Sequence, residues 1–310
     1  MKENCIIYGG AGFIGSHIAD DLIGNNINVT VFDKLNSSRR NVQHIINNIT
    51  FLEGDFNNKI DIRNSLQGID YAVHLVSSTL PADSNLNPLY DVETNLLSTI
   101  NLLEECSRQN VKKVIFISSG GTVYGKPEEI PIKENHPTNP NCSYGIVKLA
   151  IEKYLYLYKE LKSLNYKVLR FANPFGERQN PHLPQGLIIH LLYKIKKGFP
   201  IEIWGDGNVI RDYFYICDGA RTINKAMRDG SEYNIYNISS GEGRSINQIL
   251  DKFRGVLNLD FEVIYKQARS FDVPVNILDN TLAKEQLNWK PETDFDDALL
   301  NTWRYIIDVE

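Results

Sequence analysis

Cys5-Ile6-Ile7-Tyr8-Gly9-Gly10-Ala11-Gly12-Phe13-Ile14-Gly15 is the stretch that decides the fold. Residues 4–8 are a short apolar run and read as a buried strand; the pattern after the glycines reads as a helix reaching about Leu22. Gly9, Gly12 and Gly15 stand at Gly-x-x-Gly-x-x-Gly spacing. The first permits a tight turn, the second lets a pyrophosphate approach the backbone, and the third lets the helix pack on the strand. Backbone N–H groups and the helix dipole at that N-terminus favour phosphates, with Phe13 and Ile14 opening the helix beside them.

The next strand, Asn28-Val29-Thr30-Val31-Phe32, ends in Asp33, eighteen residues past Gly15. A carboxylate there suits ribose hydroxyls and repels a 2′-phosphate, so the reading is NAD rather than NADP. Arg39 and Arg40 follow and are read as solvated loop arginines. Thr50–Phe56 reads as a third strand, with Asp55 and Phe56 ending at an adenine pocket. Tyr71–Val76 reads as a fourth that reaches the sheet edge with Ser77 and Ser78, with Leu75 a candidate cofactor contact. His74, flanked by apolar residues, is read as a satisfied core histidine. Residues 89–109, with Asn95, read as one amphipathic helix. Strands alternating with helices over this half make a doubly wound parallel sheet.

The chain has 310 residues, enough for roughly two domains, and a net charge of −5. That charge disfavours nucleic acid and anionic membranes as partners. Cys5, Cys106, Cys142 and Cys217 are scattered, with no metal-ligand spacing and no disulfide framework. The first residues carry no signal-like apolar run and no segment approaches a membrane span, so the expected location is the cytoplasm.

A second stretch supplies the chemistry. Val114–Ile117 reads as a central strand, placing Ser118, Ser119 and Thr122 at its carboxyl end, where open α/β sheets hold their ligands. Tyr144 and Lys148 stand four apart at the head of a helical pattern and share a face. A phenol beside a fixed ammonium has its pKa lowered and can act as a base. Taken alone, a surface Tyr-x-x-x-Lys pair is the plainer reading; the glycine loop reverses that.

Together these motifs resemble the extended short-chain dehydrogenase/reductase superfamily, most closely nucleotide-sugar 4-epimerases of the UDP-glucose/UDP-N-acetylglucosamine type. The resemblance spans essentially the whole chain. It implies a Rossmann-type NAD-binding domain over residues 1–172, with a return segment near 213–238, and a smaller α/β substrate domain over 173–310. Tyr144 is then the base, and Lys148 holds the nicotinamide ribose while lowering the tyrosine's pKa. The family's usual Ser/Thr position is Gly120 here, so its role passes to Thr122 or, second, Ser119. Dehydratases carry an Asp-Glu pair where this chain has Gly121 and Thr122, which disfavours dehydration. In the substrate half, Asn173 matches a nucleotide-sugar contact, and Arg211 and Arg269 match diphosphate arginines. Asn276 replaces a bulky residue against the sugar's C2 group and predicts room for N-acetyl. The resemblance also implies a homodimer built on helices 89–109 and 143–164. Rivals are a 4-keto-sugar reductase, epimerisation elsewhere or decarboxylation, and a non-catalytic NAD-sensing scaffold. The scaffold has no need of Tyr144 and Lys148.

Overall fold

The structure is a computed structural model and describes residues 2–81, 83–183, 185–267 and 273–309. The strands are β1 Asn4–Tyr8, β2 Asn28–Asp33, β3 Ile49–Glu53, β4 Tyr71–His74, β5 Lys113–Ser119, β6 Asn165–Phe171, β7 Asn173–Phe175, β8 Ile201–Trp204, β9 Ile210–Tyr215, β10 Ile235–Ile238, β11 Gly243–Ser245, β12 Val263–Lys266 and β13 Val275–Asn276. Seven of them form an all-parallel sheet in the order β10-β6-β5-β4-β1-β2-β3. The order reverses between β1 and β4, and the crevice outside those carboxyl ends is where such sheets bind ligands. The expected α/β Rossmann-type sheet is the one observed.

Both faces of the sheet are covered, which is why its strands are nearly all apolar rather than alternating with polar residues. Cys5, Ile7, Val29 and Val31 point into one core cluster, and Ile6, Tyr8, Phe32 and Phe116 into another. The first face is covered by α1 Phe13–Gly24 and α7 Ile216–Arg228, which pack on one another. On the second lie α2 Lys59–Ser65, the pair α3 Pro88–Asp91 and α4 Ser98–Arg108, and α5 Ser143–Lys162. α6 Leu187–Lys196, α8 Ile246–Gly255 and α10 Phe295–Val309 cover a third apolar cluster in the smaller lobe, with β7 and β9.

Past residue 172 the chain returns to the large sheet within the expected segment near 213–238, and again further on. β10 forms the edge of the large sheet, and Leu278, Ala283, Leu287 and Trp289, around α9 Thr281–Gln286, pack into the first core. The Trp289 indole donates to the Asp218 carbonyl at 2.8 Å. The single helix expected over 89–109 is instead α3 and α4 joined by a π turn at Val92–Leu97. Its polar side chains are used locally: Thr99 Oγ1 donates to the Asn95 carbonyl at 2.6 Å, and the Asn95 amide donates to Asp91 at 2.8 Å. Such bonds compete with the regular ladder. Among the described residues no helix is long and apolar enough to cross a membrane.

Candidate active site

The glycine loop has the shape a pyrophosphate needs. Gly9 has a φ of 82°, which L side chains rarely adopt. A Cβ on Gly15 would stand 2.5 Å from the Gly9 carbonyl oxygen, so only glycine lets α1 approach β1. Gly12 ends the loop without a side-chain cap, leaving the first N–H groups of α1 available to an anion. Asp33 is oriented at the end of β2 by the N–H groups of Ala11 (3.0 Å) and Lys34 (2.9 Å), and burial raises its pKa. These features fit a dinucleotide. Arg39 is exposed, as expected of a solvated loop arginine, and it also pairs with Glu53 at 3.4 Å and lies over the Phe51 ring. Phe56 differs from expectation. Its ring is buried against His74 and Tyr8, while Asp55 stays exposed at the end of β3. His74 is a core residue, with Nε2 on Thr99 Oγ1 at 2.8 Å, but its Nδ1 has no partner among the described residues.

One cavity of about 750 Å³ brings Phe13, Ile14 and Leu75 together with Ser119, Thr122, Tyr144, Lys148, Asn173 and Arg211. Tyr144 and Lys148 sit in the first turns of α5. No side chain of its own N-cap, Cys142, closes that helix. Its leading N–H groups are bound from another segment: Ser143 N–H donates to Asn85 Oδ1 at 2.8 Å and Tyr144 N–H to Ser84 Oγ at 3.1 Å. Ser143 Oγ donates to the fully buried Asp91 at 2.7 Å. Nothing in the local sequence points to these three anchors, because they lie more than fifty residues away.

The electrostatics correct one expectation. Burial pushes the Tyr144 phenol up, with Cys142 and Asp91 adding to the effect. Lys148 does not offset this. Its ammonium donates to the Ile117 carbonyl at 3.0 Å and lies 5.6 Å from the Tyr144 ring centre. Burial lowers Lys148 to about 8, with Glu152 and Asp91 acting to keep its proton on. The phenol therefore needs a further positive charge nearby before it ionises near neutrality.

The three hydroxyls part company. Ser118 also borders the cavity, but its Oγ is already engaged, donating to Glu152 at 2.5 Å. Ser119 lines the cavity, and so does Thr122, whose buried Oγ1 has no partner among the described residues. A buried hydroxyl without a partner is costly unless a ligand supplies one. A Cβ at Gly120 would stand 2.3 Å from Leu278 Cδ1, so the side chain usual at this position would require the buried Leu278 side chain to shift. Asn276 does not reach the cavity. It is buried with Nδ2 on the Gly120 carbonyl at 3.4 Å and Oδ1 without a partner among the described residues. Asn173 donates to the Asp212 carbonyl at 2.9 Å, and Arg211 donates to the carbonyls of Ile210 and Val273. Arg269 lies outside the described residues. Gln179, Gln185, Gly186 and Leu187 also line the cavity and were not singled out from sequence; only the glycine among them carried a local signal.

A glycine loop on a doubly wound sheet, with a tyrosine, a lysine and an unpartnered hydroxyl in one cavity, defines a dinucleotide-dependent enzyme that works on an alcohol carbon. The family model described as NAD dependent epimerase/dehydratase matches residues 5–239, and the chain belongs to that family, with NAD as cofactor. A UDP-glucose 4-epimerase of Thermotoga maritima, solved with UDP-glucose, is 35% identical with a TM-score of 0.93, covering 98% of this chain and 99% of that one. A UDP-N-acetylglucosamine 4-epimerase of Methanobrevibacter ruminantium, in complex with UDP-N-acetylmuramic acid, is 32% identical at a TM-score of 0.93, with 100% of both chains covered. The UDP-glucose 4-epimerase of Thermus thermophilus, in complex with NAD, is 30% identical at a TM-score of 0.90, covering 99% of this chain and 100% of that one.

Proposed function

We propose that this protein is an NAD-dependent 4-epimerase of UDP-hexoses, acting on UDP-glucose/galactose and on the N-acetylhexosamine pair through a 4-keto sugar. The observation that carries it is the single cavity in which Tyr144, Lys148 and the unpartnered Thr122 hydroxyl share walls with Asn173 and Arg211. The similar chains solved with UDP-sugars support the same substrate class. Elimination has little support, since Glu202 is the one carboxylate among the described residues lining the cavity, and it pairs with Lys266 at 2.9 Å.

When bound, NAD would supply the redox chemistry, a reversible hydride exchange at C4 of the sugar. The glycine loop and Asp33 would hold the dinucleotide, and Lys148 would bind the nicotinamide ribose. Tyr144 Oη takes the 4-hydroxyl proton and later gives it back. Thr122 Oγ1, or Ser119 in its place, hydrogen-bonds the reacting oxygen. Arg211 would grip the diphosphate while the sugar turns about its phosphate linkage. Asn276, by its small size, leaves the C2 side unobstructed: a tyrosine there would have to displace the Gly120 corner or turn into the cavity.

Incubation with UDP-GlcNAc, and separately UDP-glucose, without added cofactor tests this by proton NMR and mass. Galacto-configured products of unchanged mass are expected from both. A product that needs NADH and gains two mass units would mean a reductase, and a rate confined to UDP-glucose would remove the argument from Asn276.

The Lys148 pKa of about 8 sets a pH dependence. Turnover is expected to fall as pH rises through that value and the ammonium is lost. Stability moves the other way. The unfolded lysine keeps its proton to about 10.5, so between 8 and 10.5 the folded state binds fewer protons and this residue's contribution to stability rises with pH. A kcat profile beside a melting profile, each against Lys148→Met, separates the two. A flat kcat from pH 7 to 10 would remove Lys148's charge from the mechanism.

Leu89 and Leu97 on the α3–π–α4 run, and Ile146, Leu157 and Leu161 on α5, form exposed apolar stripes on neighbouring helices. We read them as the interface of a cytoplasmic homodimer; sedimentation as a monomer at micromolar concentration would contradict that.

A further inference from the structure

Arg178 fastens together three segments that border the dinucleotide cleft, and no step of the mechanism above uses it. It follows β7 in a left-handed conformation, with φ of 66°. Its guanidinium donates to Asp20 Oδ2 at 2.6 Å and to His17 Nδ1 at 2.9 Å, both on α1. A third bond reaches the Asn41 carbonyl at 3.2 Å, in the segment after β2. His17 Nε2 faces the Glu177 carbonyl at 3.0 Å, so the ring holds its proton on Nε2 and accepts on Nδ1. Burial, reinforced by Arg178, lowers His17 to about 4 and keeps it neutral in that role.

The same knot reaches the glycine loop. Asn41 Nδ2 donates to the Ala11 carbonyl at 3.2 Å and to the Arg178 carbonyl at 3.5 Å. Ala11 N–H is the group held by Asp33. Beyond Arg178 the chain continues as Gln179, Gln185, Gly186 and Leu187 in the cavity wall. The loop entering the smaller lobe is thus tied to the helix and the loop that would carry the phosphates and the adenosine ribose. The ties span 137 to 161 residues of sequence.

We propose that Arg178 is a latch that retains the dinucleotide between turnovers: its contacts must open before the cofactor leaves. This rests on the reading that hydride is returned within each cycle, since such an enzyme has no use for cofactor exchange. Arg178 acts by holding segments together and is a positioning residue, not a catalytic one.

The test measures NAD bound per chain after desalting, and the first-order rate at which labelled NAD leaves into excess unlabelled NAD. Wild type is expected to keep close to stoichiometric NAD. Arg178→Ala is expected to lose it, releasing NAD at least about tenfold faster, while its kcat at saturating NAD stays near wild type. Equal release rates in the two proteins would overturn the latch. If Arg178→Ala does not fold, Asp20→Ala removes the carboxylate that Arg178 grips, and Asn41→Ala removes the amide that bonds the Ala11 and Arg178 carbonyls; faster release in either supports the latch, and unchanged release in both overturns it. A wild-type protein that holds NAD yet epimerises no UDP-sugar would sink the epimerase reading, whereas epimerisation with unchanged release in Arg178→Ala sinks the latch alone.

Discussion

Replacing Tyr144 with phenylalanine is expected to lower turnover by about 10³, within the range that positioned proton transfer contributes, and to leave UDP-sugar affinity almost unchanged. The substitution removes one oxygen and keeps the ring that lines the cavity and faces the Lys148 ammonium. The helix start is held by Ser84, Asn85 and Asp91 through the backbone and through Ser143, so the phenol plays no part in anchoring it. kcat from NMR time courses and affinity from calorimetry give the two halves of the prediction. Turnover within a few fold of wild type would take the base role away from Tyr144.

The second large effect lies behind the cavity. Glu152, on α5, receives two bonds from Arg170 at 2.6 and 3.1 Å and one from Ser118 Oγ. Arg170 also donates to Tyr124 Oη at 2.8 Å and to the Glu134 carbonyl at 3.1 Å. Both charges are almost wholly buried. Glu152→Ala strands the guanidinium without its anion and is expected to destabilise the protein by about 3–5 kcal/mol in urea unfolding. Replacing the pair together, Glu152→Leu with Arg170→Met, should recover most of that loss, because a buried pair exchanged for apolar side chains of similar volume is often close to neutral. Glu152 also helps keep the Lys148 proton on, so its loss should move the alkaline fall in activity to lower pH. A loss below about 1 kcal/mol for Glu152→Ala would show that water reaches Arg170 and that the network is not what fixes α5 on the sheet.

The motifs that could be read without a structure are those whose meaning is local. Gly9, Gly12 and Gly15 act within one turn of chain, Asp33 ends its own strand, and Tyr144 and Lys148 share a face by helical spacing. The apolar runs on β1, β4 and β5 also announce a sheet buried on both sides. What misleads is any reading that needs a neighbour from elsewhere. Phe56 reads as an adenine contact until His74 and Tyr8 close on its ring. The charge of Lys148 is expected to lower the tyrosine's pKa, but its bond runs to Ile117 and the burial of the phenol outweighs it.

By itself, then, the sequence determined the sheet, the glycine cradle and the tyrosine–lysine pair, because backbone geometry and side-chain period act over a few residues. Tertiary structure alone decided that Leu278 fills the space beside Gly120, that Asn276 sits behind the cavity wall, and that Arg178 ties the lobes across the cleft. Those outcomes depend on contacts between distant parts of the chain and on how much water each group loses, and neither is written in the order of neighbouring residues.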